Sequence, residues 1–346
     1  MVRKNIEIKF KEVNVADIYE TQMPVPGAGE VLIKTSYSAL SAGTERAVLT
    51  GLVYESASEH TGQKFDLTKE YPTSAGGYSG TGVIQKVGEG VTKFKPGDKV
   101  MMHGGGHKLY TVRDQSRVLH IPDNVCMREA SMTIISGFSL AAVRKAKIQL
   151  GESCMVVGLG LLGLFSVQFA KLSGAMPIIA LDMNQQRREL ALKLGADYAF
   201  DPTDTNCREK IMRITHQKGV NSVIEVTGNG EALNQALKNT AKFGRVVLLG
   251  CTRLATPVNF YWDVHCPGIQ LIGAHSGARP ANESSHDSWT EMDDAQAILE
   301  YLSAGRLDFK SMITEIHSHG EAFRVYDRLA HDKNFPIGVV FDWTDL

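Results

Sequence analysis

Hydrophobic and polar positions change their rhythm partway along the chain. Up to about residue 124, runs such as VLIKTSYSAL (31–40) and TGVIQKVGEGV (81–91) alternate or stay apolar over strand lengths. Turn residues in PGAGE, GEG and KPGDK separate them, so this part is predicted to be β-rich. From residue 125 the texture differs. REASMTIISGFSLAAVRKAKI (128–148) has apolar residues at helical spacing, and short apolar runs then alternate with amphipathic stretches: CMVVGLG, LFSVQFAKLSG, PIIALD, QQRRELALKLGA, VNSVIEVTG, EALNQALKNTAKFG and RVVLLG. Such strand-helix-strand repetition predicts a parallel sheet covered on both faces.

The last segment, from DDAQAILEYLSAGRLD (293–308) to PIGVVFDW (336–343), predicts a helix, an irregular link, a second helix and a closing strand. If that strand returns to the first domain, the central region is an insertion in the chain. A length of 346 residues leads us to expect two domains, each with its own core. The 37 Lys and Arg against 38 Asp and Glu leave a formal charge of −1. Bulk attraction to nucleic acid or an anionic membrane is therefore excluded, and small neutral or modestly charged partners are expected.

The opening MVRKNIEIKFKEVNV is charged throughout and has no apolar stretch before a small-residue cleavage site, so a cytoplasmic location is expected. The most apolar run, CMVVGLGLLGLF, is too short and too glycine-rich to span a bilayer. The five cysteines, Cys126, Cys154, Cys207, Cys251 and Cys266, are scattered, with neither a disulfide framework nor a Cys-x-x-Cys metal knuckle. They are expected to be reduced thiols, mostly in the core.

GLGLLG supplies Gly158, Gly160 and Gly163 directly after the apolar run SCMVV and directly before a helical pattern. Here Gly158 permits a tight turn, Gly160 admits a pyrophosphate close to the backbone, and Gly163 allows close helix–sheet packing. The helix N-terminus stabilises the phosphates. About 20 residues further on, IIALD ends in Asp182, whose carboxylate suits a ribose hydroxyl pair and repels the extra phosphate of NADP. NAD is the cofactor expected. Arg187 either reaches the adenosine end or is solvated, as helix arginines usually are.

With those residues in place, the chain resembles the medium-chain dehydrogenase/reductases, the family of alcohol, sorbitol and threonine dehydrogenases and quinone reductases. The resemblance is carried by PGAGEVLIK, SAGTE, GYSGTGVIQKVGEGVTKFKPGDKV, VVGLGLLGLFSVQFAKLSGA, ELALKLGADYAFDP, VIEVTGNGEALNQALKNTAKFGRVVLLG and AILEYLSAGRLDFKSMIT, in the family's order and spacing. It implies an α/β subunit: a GroES-like β-barrel catalytic domain from residues 1–136 plus 276–346, with a Rossmann domain, a doubly wound parallel sheet, inserted at 137–275. It also implies an active site between the domains, and a homodimer or tetramer built through the strand in GIQLIGAH. By position in the family pattern, Leu161, Leu162, Asp182, Met183, Arg187, Thr227, Leu249, Gly250, Cys251 and His275 join the three glycines as cofactor-binding candidates.

Zinc-dependent members hold a catalytic Zn²⁺ with a Cys, a His of a Gly-His-Glu motif, and a later Cys or Glu. The resemblance puts Ala42, the pair Tyr78–Ser79, and Ser136 at these places, and none is a soft zinc ligand. The four-cysteine structural lobe is also missing after GDKV. A zinc-free member is thus implied, with no metal expected. The chemistry must then come from side chains.

Thr44 matches the family's proton-relaying Ser/Thr. Tyr78 either hydrogen-bonds the reacting oxygen or fills the volume left by zinc. His103 and His107, in HGGGHK, have the intrinsic pKa of a general base, although a core or surface histidine is the commoner case. Glu45 matches a family Asp that supports the site, or else forms a buried ion pair with Arg46 or Arg144. Ser41, Ser136 and Lys108 are the substrate-binding candidates. The aromatic run NFYWDVH (259–265) is either a stacking wall for a sugar or ring, or core near a dimer interface, with core favoured. The polar stretch GLVYESASEHTGQKFDLTKEYP (51–72) is expected to be a lid or substrate loop.

The expected function is NAD-dependent, zinc-independent hydride transfer to or from a secondary alcohol in a sugar, polyol or cyclitol-like substrate. The alternatives are a zinc-free quinone or enone reductase and a non-catalytic sensor of the nicotinamide ratio.

Overall fold

The computed structural model describes residues 4–286 and 288–346. The chain forms two compact units, one running to Ile135 and resuming over Ala295–Leu346, the other Ser136–Asp294.

In the first unit, strands Ile313–Ser318, Gly338–Asp342, Glu30–Ala39, Ser79–Val87, Lys99–His103 and Val118–His120 lie side by side in that order, and Tyr110–Asp114 also pairs with Glu30–Ala39. The closing strand joins the first half of the chain antiparallel, with Val340 opposite Ala39 and Asp342 opposite Tyr37. A smaller sheet contains Val15–Gln22, Lys4–Glu12 and Thr73–Ser74. Ile8 and Phe10 meet Tyr326, Phe341 and Trp343 in one apolar cluster. The segment expected to be a lid or loop is largely helical, with helices Leu52–Thr61 and Leu67–Glu70. Neither contains a fully buried residue, although the half-buried Tyr54 packs against the same apolar cluster.

The second unit is a doubly wound α/β domain. Its six strands are parallel, in the order Tyr198–Phe200, Ile178–Leu181, Cys154–Val157, Val220–Glu225, Thr240–Leu248 and Gln270–Gly273. The chain adds strands outward from Cys154–Val157 on one side and outward from Val220–Glu225 on the other, which places the topological switch between these two neighbouring strands. Residues 231–244 have a helical pattern throughout, yet the helix is Gly230–Asn239 and a strand starts at Thr240. Pairing of Thr240 with Val220 decides the boundary, since a ladder partner outweighs local propensity.

Residues 276–294 group with this second unit. Their anchor is ionic and aromatic. The Arg144 Nε donates to Asp294 Oδ1 at 2.8 Å, and the guanidinium lies 3.8 Å from the centre of the Trp289 ring. Tyr261 and Trp262, expected as core near a dimer interface, are 57% and 66% exposed in the single chain. One expectation, that the cysteines lie mostly in the core, needs correction. Of the cysteines, Cys154 and Cys207 are buried, but Cys126, Cys251 and Cys266 are exposed. Among the described residues, no helix is long and apolar enough to cross a membrane.

Candidate active site

The sheet registers of the second unit align Leu181, Val157, Glu225, Leu248 and Gly273 in one row across the strands. The residues that follow each strand therefore emerge along a single rim at its carboxyl end, where open α/β sheets bind ligands. Gly158 to Gly163, Asp182 and Met183, Thr227, Leu249 to Cys251 and His275 all lie on segments leaving this rim.

The glycine loop is built by close approach. Gly158 has φ +91°, and a Cβ there would sit 2.7 Å from the Thr227 Cγ2. A Cβ on Gly163 would lie 1.9 Å from the Gly158 carbonyl oxygen, so only glycine lets the helix Leu161–Leu172 pack this tightly. Gly160 is different: nothing lies within 4 Å of its Cβ direction. As N-cap it has no side chain to satisfy the first-turn N–H groups, which leaves them available to an anion. The carbonyl of Leu162 accepts the hydroxyls of Ser139 and Ser166, each at 2.8 Å.

Asp182 closes the loop from the neighbouring strand. Its Oδ2 accepts the Leu159 N–H at 2.7 Å, and its Oδ1 the Asn184 N–H at 2.8 Å. Asn184 in turn caps the helix Gln185–Leu194 by accepting the Arg187 N–H at 3.2 Å. Arg188 is not solvated: it donates to the carbonyls of Asp182 and Met183 and to Asp201 Oδ2, which holds this turn in shape. Met183 itself is exposed.

Glu225, fully buried, organises the next loop. It accepts the N–H of Thr227 at 2.7 Å and of Gly228 at 3.2 Å, together with the Thr227 hydroxyl. Burial pushes the Glu225 carboxyl up, against the pull of these donors. A Cβ on Gly250 would come 2.4 Å from the Gly228 nitrogen, so the loops bearing Thr227 and Cys251 press together through glycine. Leu249 is buried and Cys251 exposed, while His275 accepts the Gly277 N–H at Nδ1, 3.1 Å away. Glu225, Asn184 and Arg188 were not evident as site-building residues from motif spacing. An acidic residue ending an apolar run just before Thr-Gly was the available signal for Glu225.

The catalytic candidates of the first unit gather around Glu45. Thr44 and Glu45 stand on the helix Ala42–Leu49, with Ser41 at its N-cap. Glu45 accepts the Ser41 N–H at 2.9 Å and the Tyr326 hydroxyl at 2.8 Å. The His107 Nε2 lies 3.3 Å from both its oxygens. Its partners are thus His107 and Tyr326, in place of the Arg46 or Arg144 considered from sequence; Arg46 donates instead to the carbonyls of Leu329 and Asp332. His107 is 1% exposed, and its Nδ1 lies 2.8 Å from the Ser38 Oγ. Tyr78 precedes the strand Ser79–Val87, and His103 ends the strand Lys99–His103, directly opposite Ser79. Ser79 Oγ accepts the Ile134 N–H at 3.0 Å, and Ser136 is buried. Lys108 is paired with Glu7 at 2.7 Å. Among the described residues, no group of three or more His, Cys, Asp or Glu side chains is disposed to hold a metal ion.

Residues 27–133 match a family described as the alcohol dehydrogenase GroES-like domain, and residues 162–295 one described as zinc-binding dehydrogenase. The chain is 29% identical to an L-threonine 3-dehydrogenase of Pyrococcus furiosus, covering 70% of this chain and 74% of the relative. It is 24% identical to a D-guloside 3-dehydrogenase of Escherichia coli, over 75% of both chains. A solved Escherichia coli oxidoreductase/dehydrogenase of unknown specificity superposes with a TM-score of 0.83 at 22% identity, over 98% of this chain and 99% of that one.

Proposed function

Because this chain belongs to the medium-chain dehydrogenase/reductase superfamily and is an oxidoreductase, we propose that it transfers hydride between NAD and a secondary alcohol of a sugar, polyol or cyclitol-like substrate, without zinc. The observation that carries the cofactor assignment is the Leu159 N–H bond to Asp182 Oδ2. It fixes a carboxylate beside the glycine loop, where its remaining lone pairs suit the ribose hydroxyls and its charge opposes a 2′-phosphate. The open space at Gly160 and the uncapped helix behind it suit the pyrophosphate.

The zinc that many relatives use does not fit the residues present. Ala42 has no donor atom, Ser79 Oγ is engaged by the Ile134 N–H, and a tyrosine phenol and the Ser136 hydroxyl are poor zinc ligands. Alcohol oxidation without a metal still divides into two losses. NAD, when bound, would supply the acceptor for the hydride leaving the carbinol carbon. The hydroxyl proton must leave in concert, because a free alkoxide is too high in energy. In this reading the Tyr78 phenol hydrogen-bonds the reacting oxygen, and the Thr44 hydroxyl passes its proton outward; His103 lies on the strand facing Ser79 and completes the polar lining.

The substrate class is supported by the two relatives named as 3-dehydrogenases, one of a sugar glycoside. The strand Gln270–Gly273 ends the sheet, and its open edge supports assembly as a homodimer or tetramer. The five free cysteines suit the reducing cytoplasm. The test is a panel of polyols, sugars and cyclitols with NAD, followed by NADH absorbance, on protein dialysed against a chelator. Saturable turnover on a secondary alcohol with no bound zinc is expected. Activity confined to quinones or enones with NADPH, restoration of lost activity by Zn²⁺, or NAD binding with no turnover on any of them would overturn the proposal.

A further inference from the structure

The core of the first unit holds a continuous network of buried polar side chains. Trp343 Nε1 donates to Ser38 Oγ at 2.9 Å, Ser38 Oγ lies 2.8 Å from His107 Nδ1, and His107 Nε2 faces Glu45. Glu45 also takes the hydroxyl of Tyr326. An ionised carboxylate only accepts, so the proton between Glu45 and His107 belongs to Nε2. Ser38 already accepts the indole N–H and sends its own proton to Nδ1. Every ring nitrogen and hydroxyl in the chain is then satisfied with a neutral imidazole, and no position remains from which His107 can reach a substrate.

The carboxylate has one further contact, to the Gly77 N–H at 3.4 Å. Gly76 and Gly77 have φ of +103° and +83°, and they are pressed from two sides. A Cβ on Gly76 would lie 2.8 Å from the Glu45 Cγ, and one on Gly77 2.5 Å from the backbone carbon of Gly106. Behind them, the Gly106 N–H donates to the Gly77 carbonyl at 2.9 Å and the Gly104 N–H to the Tyr78 carbonyl at 2.7 Å. Arg113 donates to the Gly104 carbonyl and the Ile8 N–H to the His107 backbone carbonyl, so the 104–107 loop is itself held. The turn before Tyr78 is therefore clamped between Glu45 and a loop that ends in His107.

We propose that Glu45 and His107 are positioning residues, a buried carboxylate–imidazole pair that sets the Gly76–Gly77 turn and so aims the phenol of Tyr78, without exchanging a proton with substrate. The proposal rests on the reading above in which Tyr78 meets the reacting oxygen. What it predicts is dependence on shape and indifference to charge. Glu45→Gln retains the shape: its carboxamide oxygen still accepts the Ser41 and Gly77 N–H groups, and its nitrogen finds the Nε2 lone pair once the His107 proton moves to Nδ1. Glu45→Ala retains neither shape nor charge.

The experiment combines kinetics with nuclear magnetic resonance on the full-length protein. Glu45→Ala is expected to lower kcat at least about tenfold with KM for NAD within about twofold, Glu45→Gln to stay within about threefold of the parent, and Glu45→Ala to cost almost nothing more in a Tyr78→Phe background. The ¹⁵N signals of His107 are expected to report an Nε2–H tautomer in the parent protein and an Nδ1–H tautomer in Glu45→Gln. Amide exchange at Gly77, Gly104 and Gly106 is expected to quicken in Glu45→Ala. Equal losses in Glu45→Gln and Glu45→Ala, additivity with Tyr78→Phe, or an Nδ1–H tautomer of His107 in the parent protein would overturn the proposal. If Glu45→Ala does not fold, Ser38→Ala opens the network from its far end and carries the same exchange measurement, with unchanged exchange overturning the clamp. If the parent protein turns over no alcohol, the functional reading fails, while the tautomer and exchange measurements still decide the positioning role.

Discussion

Tyr326 donates its hydroxyl to Glu45 across 2.8 Å in a site where both side chains are buried, although the two residues lie far apart in the chain. The helix Ala322–His331, in the C-terminal segment, thereby completes the hydrogen bonding of a carboxylate near the start of the helix Ala42–Leu49.

Removing that hydroxyl leaves a buried carboxylate short of one donor. Tyr326→Phe is expected to destabilise the protein by about 1.5–3 kcal/mol, the range for a hydrogen bond to a charged group. Denaturant titration of both proteins measures it, and an unchanged midpoint would refute the accounting. A pH effect follows from the same contact. Burial, with the Glu45 charge beside it, pushes the Tyr326 phenol well above its ordinary value of 10.0. The folded state thus holds this proton more tightly than the unfolded state. Its contribution to stability is fully present below about pH 10 and declines as pH rises beyond it. Spectrophotometric titration should find one phenol that ionises only on unfolding.

Two glycines of the cofactor loop should respond in opposite ways to a single methyl group. A Cβ at position 163 collides with the Gly158 carbonyl, whereas one at 160 meets nothing within 4 Å. Gly163→Ala is expected to cost about 1–3 kcal/mol of stability through overpacking. Gly160→Ala should leave stability unchanged and weaken NAD binding instead. Thermal unfolding with and without NAD separates the two; equal destabilisation by both would contradict the assignment of Gly160 to the pyrophosphate.

Cofactor choice should follow the Asp182 carboxylate. In Asp182→Ala, loss of a charged acceptor for the ribose is worth about 1.5–3 kcal/mol, so affinity for NAD should fall roughly 10- to 100-fold. Affinity for NADP should rise or stay level, since the repulsive charge is gone. Fluorescence titration with both cofactors tests this, and a parallel loss for each would show that Asp182 merely shapes the loop.

The second unit depends on Arg144 in a different way. Asp294 is 1% exposed on its side chain, and Arg144 is its hydrogen-bonded partner, with Arg279 Nη1 farther off at 3.6 Å. Burial raises the Asp294 carboxyl even with both guanidinium groups beside it. Arg144→Met should therefore strand a buried charge and cost about 3 kcal/mol. Adding Asp294→Asn to that variant should restore much of the loss, because the charge is removed with its partner. A double variant no more stable than Arg144→Met would disprove the coupling.

Much of the second unit was legible because its signals are local. A glycine loop between an apolar run and an amphipathic helix, followed by Asp182 at the end of the next apolar run, encodes strand, turn, helix and strand over a short stretch. Where local pattern met long-range pairing, pairing prevailed: residues 240–244 continue a helical rhythm, but Thr240 pairs with Val220 and the ladder resumes at Arg245 opposite Ser222. Similarly, Tyr261 and Trp262 have core-like composition, and only the folded chain places them on an exposed π-helical turn.

By itself the sequence determined the alternation of strand and helix, the glycine loop with its acidic partner, and the absence of zinc-ligating side chains at 42, 78, 79 and 136, because each is a property of residue type and short spacing. Only the tertiary structure decided what Glu45, His107 and Lys108 face. Glu45 meets His107 and Tyr326, Lys108 is tied to Glu7, and His107 is enclosed by Ser38 and Glu45. Those choices are made by strands and helices from opposite ends of the chain closing on one core. No local pattern carries that information, because a side chain's partner is set by whichever distant backbone arrives beside it.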